Sequence, residues 1–400
     1  MRNPAGVALT TAALFLALVA VLLYSNSLFY MSTAMIATIA ASRIQAHLSV
    51  RGLRFERTAP EAVSAGELVT VEITVWSERQ IRRPLVTILD GLPKRLPVEE
   101  LSLSLPIAPA FDIPVRTQYQ FRPMKRGRYS WNTLTVVGTD ALGLVSMQKS
   151  YQTAPAELTV LPNPLPVNVE LPTASGWGTF EVEHGKSRGA GMEPRGIREY
   201  ASGDPMRHVH WRSSARTGQL LVKEFEAGAQ GSAAFVIQQT SGSEVGRGAY
   251  TTLEIMCGHM AYLSDKLLRQ GTQVYFPGLE SGTPRGAVRE RIRDILELLA
   301  SVQADKPEPV SEALSRARMD MPPGSVVYVL VALADPGLPA AIERFRSSGN
   351  HLAVLIYDPR KFAGHKTPLK GMPASDIEFM ERLRTAGASV ISMPVEVRDS

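Results

Sequence analysis

The stretch SVVYVLVALAD, Ser325 to Asp335, carries no charged side chain until its last residue. A short run rich in β-branched valine and closed by Asp-Pro-Gly is strand material. A strand with one wet face alternates apolar and polar residues, whereas this one is apolar almost continuously, so both of its faces are buried. Covering layers must therefore lie above and below the sheet that holds it.

The flanking sequence supplies those layers. AAFVIQQ (Ala233–Gln239), TQVYFP (Thr272–Pro277), HLAVLIYD (His351–Asp358) and SVISMPV (Ser389–Val395) read as further strands. Between them run the helices AYTTLEIMCGHMAYLSDKLLRQG, ended by Gly271, AVRERIRDILELLASV, LPAAIERFRSSG and DIEFMERLRTAG. Apolar strands alternating with amphipathic helices predict an α/β domain over 233–400 with a mostly parallel sheet, whose ligand-facing loops lie beyond the carboxyl ends of the strands.

Upstream the rhythm differs. LVTVEITVW, PLVTILDGLP, RTQYQFRP, GRYSWNTLTVVGTD and AELTVLP are short, alternating and punctuated by proline and glycine. They predict an all-β sandwich of antiparallel strands over 48–165. Residues 166–232 form a connecting region, beginning within PNPLPVNVELP, which reads as an extended linker.

Residues 1–47 are different again. No Asp, Glu, Lys or Arg occurs from Asn3 to Ser42. A single helix of that length would be about twice the ~30 Å hydrocarbon thickness, and YSNS (Tyr24–Ser27) offers a polar break. The expectation is a hairpin of two transmembrane helices, about 4–23 and 28–46. Arg2 precedes it and Arg43, Arg51, Arg54 and Arg57 follow it, which places both ends, and the domains after them, in the cytoplasm. A cleaved signal peptide ending at TIAAS (Thr38–Ser42) would need an apolar core of only ~7–15 residues.

With 400 residues, 44% hydrophobic, 20% charged and a net charge of +5, the chain is neither disordered nor a general polyanion binder. Cys257 is the single cysteine, which excludes an internal disulfide, and its place in LEIMCGHMAYL makes it a core thiol.

Three motifs invite chemistry. HGKS (His184–Ser187) lacks the leading glycine of a phosphate loop, since Phe180 stands there. QQTSGS (Gln238–Ser243) follows the first α/β strand, where Asp-x-Ser-x-Ser would hold a divalent metal. Ser241 and Ser243 match, but Gln239 replaces the aspartate, and a neutral amide attracts a hard cation poorly. Thr283 and Asp335 stand roughly where the remaining ligands belong, so this reads as a degenerate metal site.

The third is IREYASGDPMRHVHWRSSAR (Ile197–Arg216). His208 and His210 alternate on one side of a possible strand and, with Asp204, compose a candidate site for a metal-dependent hydrolase. In the competing reading Arg195, Arg198, Arg207, Arg212 and Arg216 pair with Glu199, Asp204, Glu224 and Glu226 and clasp the α/β domain to the sandwich. The interleaved carboxylates oppose a nucleic-acid partner despite Tyr200 and Trp211. No Ser-His-Asp or Cys-His grouping marks a catalytic residue.

The same segment resembles the signature of the domain-of-unknown-function 58 family of bacterial membrane proteins. Arg198, Glu199, Tyr200, Gly203, Asp204, Arg207, Trp211, Ser214, Ala215, Arg216, Glu224, Phe225 and Glu226 match it. KRGRY (Lys125–Tyr129), TDALGL (Thr139–Leu144) and LTVLP (Leu158–Pro162) resemble further landmarks. Gln239 and Gly228 depart from the acidic residues found in relatives. The resemblance implies paired membrane helices, a β domain and a von Willebrand factor A-like, Rossmann-like domain in the plasma membrane. It also implies a MoxR-type AAA+ ATPase as partner in assembly, maturation or stress response. The expected function is a non-enzymatic scaffold needing no cofactor, a divalent metal being the open alternative, with the lipid bilayer and protein as partners.

Overall fold

The computed structural model describes residues 4–80, 83, 86–99, 104–109, 111–173, 176–179, 194–199, 210–225, 232–279, 288–318, 321, 325–347, 350–362 and 369–394. Two compact units divide the chain, Met1–Leu161 and Pro162–Ser400.

The first unit opens with α1 (Pro4–Leu22) and α2 (Asn26–Ser49), joined by a turn in which Tyr24 takes a φ of 50°. Their buried positions are mostly small: Ala13 and Ala20 on α1, and Ser32, Ser42, Ala46 and Ser49 beside Ile39 on α2. The large apolar side chains point outward, among them Phe15, Leu18 and Leu22 on α1 and Phe29, Tyr30 and Ile44 on α2. Of the two spans expected, one is met by length and composition: among the described helices α1 alone is long and apolar enough to cross a membrane. α2 is longer, but Asn26, Ser27, Thr33, Thr38, Arg43 and Gln45, with its buried serines, dilute its apolar content.

Nine strands follow: β1 (Leu53–Thr58), β2 (Ala62–Ser64), β3 (Val69–Ser77), β4 (Val86–Asp90), β5 (Val98–Glu99), β6 (Ser104–Ile107), β7 (Val115–Pro123), β8 (Gly127–Thr139) and β9 (Ser146–Leu161). They form two sheets, β1-β3-β7-β5 and β2-β9-β8-β4-β6. All neighbours are antiparallel except β2 and β9, which run parallel. The period-two pattern is realised in β3, where Val69, Val71, Ile73 and Val75 are buried, and they share a core with Ile88, Leu134 and Leu158 of the other sheet.

That core also encloses a charge pair. Arg57 on β1 meets Asp90 on β4 through two hydrogen bonds, at 2.8 and 3.0 Å, and both side chains are 1% exposed. Tyr119 Oη (2.7 Å) and Trp131 Nε1 (3.3 Å) donate to the same carboxylate, while Arg57 donates to the carbonyl of Trp131 and the hydroxyl of Thr153. Burial, and then the Asp90 charge, raise the Tyr119 hydroxyl pKa well above its usual value. Arg57, which the sequence places among the charges flanking the membrane, is thus a core residue. A buried pair is tolerable only when its remaining hydrogen bonds are met, as they are here.

The second unit comprises β10 (Glu170–Thr173), β11 (Gly176–Thr179), β12 (Pro194–Glu199), α3 (Trp211–Thr217), β13 (Leu221–Phe225), β14 (Ser232–Ile237), β15 (Gly246–Arg247), β16 (Tyr250–Thr251), α4 (Thr252–Arg269), β17 (Gln273–Tyr275), α5 (Val288–Ser301), α6 (Val310–Ala317), β18 (Val326–Val331), α7 (Leu338–Arg346), β19 (His351–Ile356), α8 (Ile377–Thr385) and β20 (Ser389–Ser392). The central sheet runs β17-β14-β18-β19-β20 and is parallel throughout. β18 is buried at every position, as its sequence requires. Phe235, Tyr328 and Leu330 face α4 and α5 on one side, and Val327, Val329 and Val354 face α6, α7 and α8 on the other.

Two features depart from the sequence reading. α6 was not foreseen, because its eight residues are too short for a clear helical period. The proposed linker is instead a packed strap: Val167 and Leu171 are buried in the sheet's core, Leu165 N donates to Gly258 O (2.9 Å), and Tyr328 Oη donates to Pro172 O (2.6 Å). A Cβ on Gly258 would stand 2.7 Å from the Leu165 side chain, so this crossing requires glycine.

Candidate functional site

In a doubly wound sheet the crevice opens where neighbouring strands send their connections in opposite directions. Here that place is between β14, which leads through α4 to β17, and β18, which leads through α7 to β19. The polar residues at these strand ends are Gln238, Gln239, Ser241, Ser243 and Asp335.

Gln238 is buried and acts like an added piece of backbone. Its Oε1 accepts from the amides of Ala332 and Leu333, each at 3.0 Å, and its Nε2 donates to Leu333 O at 2.9 Å. It zips the ends of β14 and β18 together where a ligand would otherwise enter. Gln239 O accepts from Lys306 N (3.0 Å), and Ser241 N donates to Lys306 O (2.8 Å). Ser243 is 5% exposed, and its carbonyl accepts from Thr252 Oγ1 at 3.3 Å.

Asp335 has both oxygens engaged. Oδ2 accepts from Ser311 N at 2.8 Å and Oδ1 from Gly337 N at 2.9 Å. A carboxylate here satisfies an orphan amide in the first turn of α6 and complements the positive end of its dipole. The single carboxylate of the degenerate metal set therefore serves as a helix cap, and Thr283 lies outside the described residues. Among the described residues, no group of three or more His, Cys, Asp or Glu is placed to hold a metal ion.

A shallow cleft beside β14 is lined by Gln239, Pro277, Lys306, Glu308 and Arg316. Its charges are engaged: Lys306 Nζ donates to Gly278 O at 3.0 Å, and Arg316 pairs with Glu308. Over the end of β18, Ala334 N donates to Met372 O and Pro373 bridges to Leu333. Tyr250 stacks on Phe362 (4.8 Å between centroids), while Met372 and Ile377 are 49% and 74% exposed. The loop face is thus rigidly hydrogen-bonded beneath and partly apolar on top.

Beneath it, His259 on α4 is buried and its Nδ1 lies 2.9 Å from Tyr357 Oη. Burial pushes the His259 pKa down to about 4 and that of Tyr357 well up, so both are neutral near pH 7. Cys257, expected as a core thiol, is fully buried. This group is packing with its polar atoms satisfied.

In the signature segment β12 and β13 form an antiparallel ribbon, with Arg198 opposite Val222, Glu199 opposite Leu221, Gly196 opposite Glu224 and Pro194 opposite Phe225. α3 closes the loop between them. His210 stands at its N-cap and its Nδ1 accepts from Ser213 N at 3.2 Å, so the residue is not on a strand as the His-x-His reading supposed. Ser214 is buried, donates to His210 O (3.1 Å) and accepts from Leu221 N (2.9 Å), fastening α3 to β13. Gly218 ends the helix at a φ of 70°, the left-handed C-cap that glycine adopts without strain. Trp211 is 61% exposed, and Arg212 and Arg216 lie on the open side. Tyr200, Gly203, Asp204, Arg207, His208 and Glu226 are outside the described residues, as is HGKS, and of the side chains of Arg198, Glu199, Glu224 and Phe225 nothing is described.

Ser214, expected from the signature, fastens α3 to β13, whereas the backbone-like role of Gln238 and the capping role of Asp335 were not foreseen. A signal existed for both: Gln238 is the polar stop of an apolar strand, and Asp-Pro-Gly is a turn whose aspartate bonds to backbone amides nearby.

No curated protein matches this chain. Similar solved structures include the CARDB domain of a Pyrococcus furiosus protein in complex with di-metal ions (15% identity, covering 27% of this chain and 91% of that one, TM-score 0.21). Another is the complex of zinc 2-glycoprotein with prolactin inducible protein from human seminal plasma (13%, 26% and 92%, TM-score 0.20). A third is the GH20 exo-β-N-acetylglucosaminidase of Vibrio harveyi with N-acetylglucosamine (8%, 76% and 57%, TM-score 0.18). The match that bears on the signature is to a family model described as "Protein of unknown function DUF58", over residues 196–369, a span that runs from the β12–β13 ribbon through the parallel sheet to the end of β19 and beyond.

Proposed function

We propose that this chain is a membrane-anchored scaffold, not an enzyme. Its α1–α2 hairpin crosses the plasma membrane twice with both soluble units in the cytoplasm, and its α/β unit, von Willebrand factor A-like, offers the loop face at the end of β18 to a protein partner. The partner implied by the family resemblance is a MoxR-type AAA+ ATPase acting in assembly, maturation or stress response; nucleic acid is not a partner.

The observation that carries this reading is the wiring of the sheet's carboxyl end. Gln238 and Asp335, two of the polar groups at the switch point, spend their side-chain hydrogen bonds on the protein's own backbone. A catalytic or metal-binding crevice needs groups free to meet a ligand, whereas a docking surface needs fixed loops with apolar contacts such as Met372 and Ile377 on top. The twofold crossing is supported by the outward large side chains on both helices, an arrangement suited to a lipid surround.

The test is binding of the purified MoxR-type ATPase to the full chain in nanodiscs, with and without ATP. A complex that Met372→Asp weakens at least ~10-fold, equivalent to about 1.4 kcal/mol, is the expected result. No complex in either nucleotide state sinks the partner assignment.

A further inference from the structure

TDALGL spans Thr139–Leu144. Its geometry is that of a built turn between β8 and β9. The Asp140 carboxylate is buried; it accepts from Val145 N at 2.7 Å and Leu142 N at 3.1 Å, and Gly143 takes a φ of 68°. Burial disfavours the charged form of Asp140, but the hydrogen bonds from Val145, from the Ser42 hydroxyl and from Leu142 outweigh it and hold the carboxyl below its usual pKa. The turn's one acidic side chain is thus consumed internally.

The turn is also fastened to both helices of the hairpin. Gln45 Oε1 on α2 accepts from Ala141 N at 3.1 Å, and Ser42 reaches Asp140. On α1, a Cβ at Gly6 would collide with the Leu144 carbonyl oxygen, so the first turn of that helix lies directly against Leu144. The end of α2 is anchored in parallel. Arg83 donates to Leu48 O and Ser49 O, both at 2.8 Å, Tyr151 Oη donates to Val50 O at 2.6 Å, and Ser49 packs where a Cβ on Gly138 would stand.

At the tip of this turn Leu142 is 65% exposed. Arg43 and Arg51, both exposed, stand near the end of α2, and the exposed Arg79 lies against Gly52. An apolar tip at the open ends of the hairpin, beside cations and with its own carboxylate buried, matches the chemistry of an anionic headgroup layer.

We propose that the Asp140–Val145 turn is a membrane foot: Leu142 enters the interface of the leaflet where α1 begins and α2 ends, and Arg43, Arg51 and Arg79 engage anionic lipid headgroups. The foot sets the sandwich at a fixed height and tilt on the bilayer, so that α2 and the sandwich move as one body. It rests on the reading that the hairpin spans the membrane.

The experiment uses the full chain with nitroxide labels in nanodiscs of phosphatidylcholine, with or without one quarter phosphatidylglycerol, read by power-saturation depth measurement. Cys257, fully buried, stays unlabelled. Phe15→Cys reports on insertion of α1, Leu142→Cys on the foot, and Asn132→Cys on a water-side reference about 23 Å away along β8, at ~3.3 Å per residue. Expected are a label at 15 at acyl-chain depth, a label at 142 at headgroup depth in anionic discs, and retreat of the latter when Arg51→Glu and Arg79→Glu are added. If 15 is inserted while 142 is as water-accessible as 132, the foot is overturned and the spanning hairpin stands. If 15 itself is water-accessible, the spanning reading fails and takes the foot with it.

Discussion

α1 and α4 are both long apolar helices, and they arrange the same kinds of residue in opposite ways. α4 turns Met256, Met260, Leu263 and Leu267 into the sheet and leaves charges such as Asp265 and Arg269 outside. α1 turns Ala13 and Ala20 inward and leaves Phe15, Leu18 and Leu22 outside. In water the first arrangement is favourable by roughly 25 cal/mol per Å² of apolar surface removed, and the second forgoes that gain. Small residues at the contact and large ones outward are what helices use when the surrounding solvent is lipid and close backbone approach drives association. The difference supports the lipid surround proposed for the hairpin without reference to any relative.

Substitutions that remove what each interior depends on should separate the two regions. Asp90→Ala leaves Arg57 charged and unpaired in the sandwich core, and chemical denaturation of the first unit should show a loss of about 3–5 kcal/mol. A loss below about 1 kcal/mol would mean that water reaches the pair. Met260→Ala on α4 should cost the second unit about 2–5 kcal/mol by the same measurement, the range for deleting a buried apolar side chain. The matching change on α1, Leu18→Ala, should cost less than about 0.5 kcal/mol of either unit's stability, because that residue is mostly exposed, at 59%. Equal effects at 260 and 18 would break the comparison.

Acid titration probes the second interior separately. The pKa of His259 is about 4 when folded against 6.5 when free, so the unfolded state binds the proton more readily. The stability contributed is full above about pH 6.5 and is lost as pH falls toward about 4, by on the order of 3 kcal/mol. Denaturation midpoints measured across that window should fall, and His259→Gln should flatten the response. Asp335→Ala should cost about 1–2 kcal/mol by uncapping α6. It should leave any divalent-metal content of the protein unchanged by elemental analysis; a metal lost with Asp335 would revive the degenerate site.

The sheet was legible from the apolar run at Val326–Val331 because burial on both faces leaves no alternation to misread. The sandwich strands were legible by their period of two. What escaped were features made by tertiary pairing: the strap at Val167 and Leu171 carries proline like any linker, and only the facing glycine at 258 reveals that it is packed. Arg57 resembled a membrane-flanking charge because its partner Asp90 lies 33 residues away and on the opposite sheet. At the candidate site, QQTSGS was legible as a departure from a metal motif, but the bonds of Asp335 to α6 and Gly337, which give it a capping role, lie in chain segments that sequence spacing does not connect. At His210 the residue type suggested a ligand, and the fold places the residue at the N-cap of α3.

The account rests most heavily on the hairpin crossing the membrane twice. Its most direct test is cysteine labelling with an impermeant maleimide in right-side-out and inverted membrane vesicles, using Ser25→Cys in the turn between α1 and α2 and Trp211→Cys on exposed α3, with Cys257 buried and silent. The account predicts that position 25 labels only from the outer face and position 211 only from the cytoplasmic face. Labelling of both from the same face would contradict it.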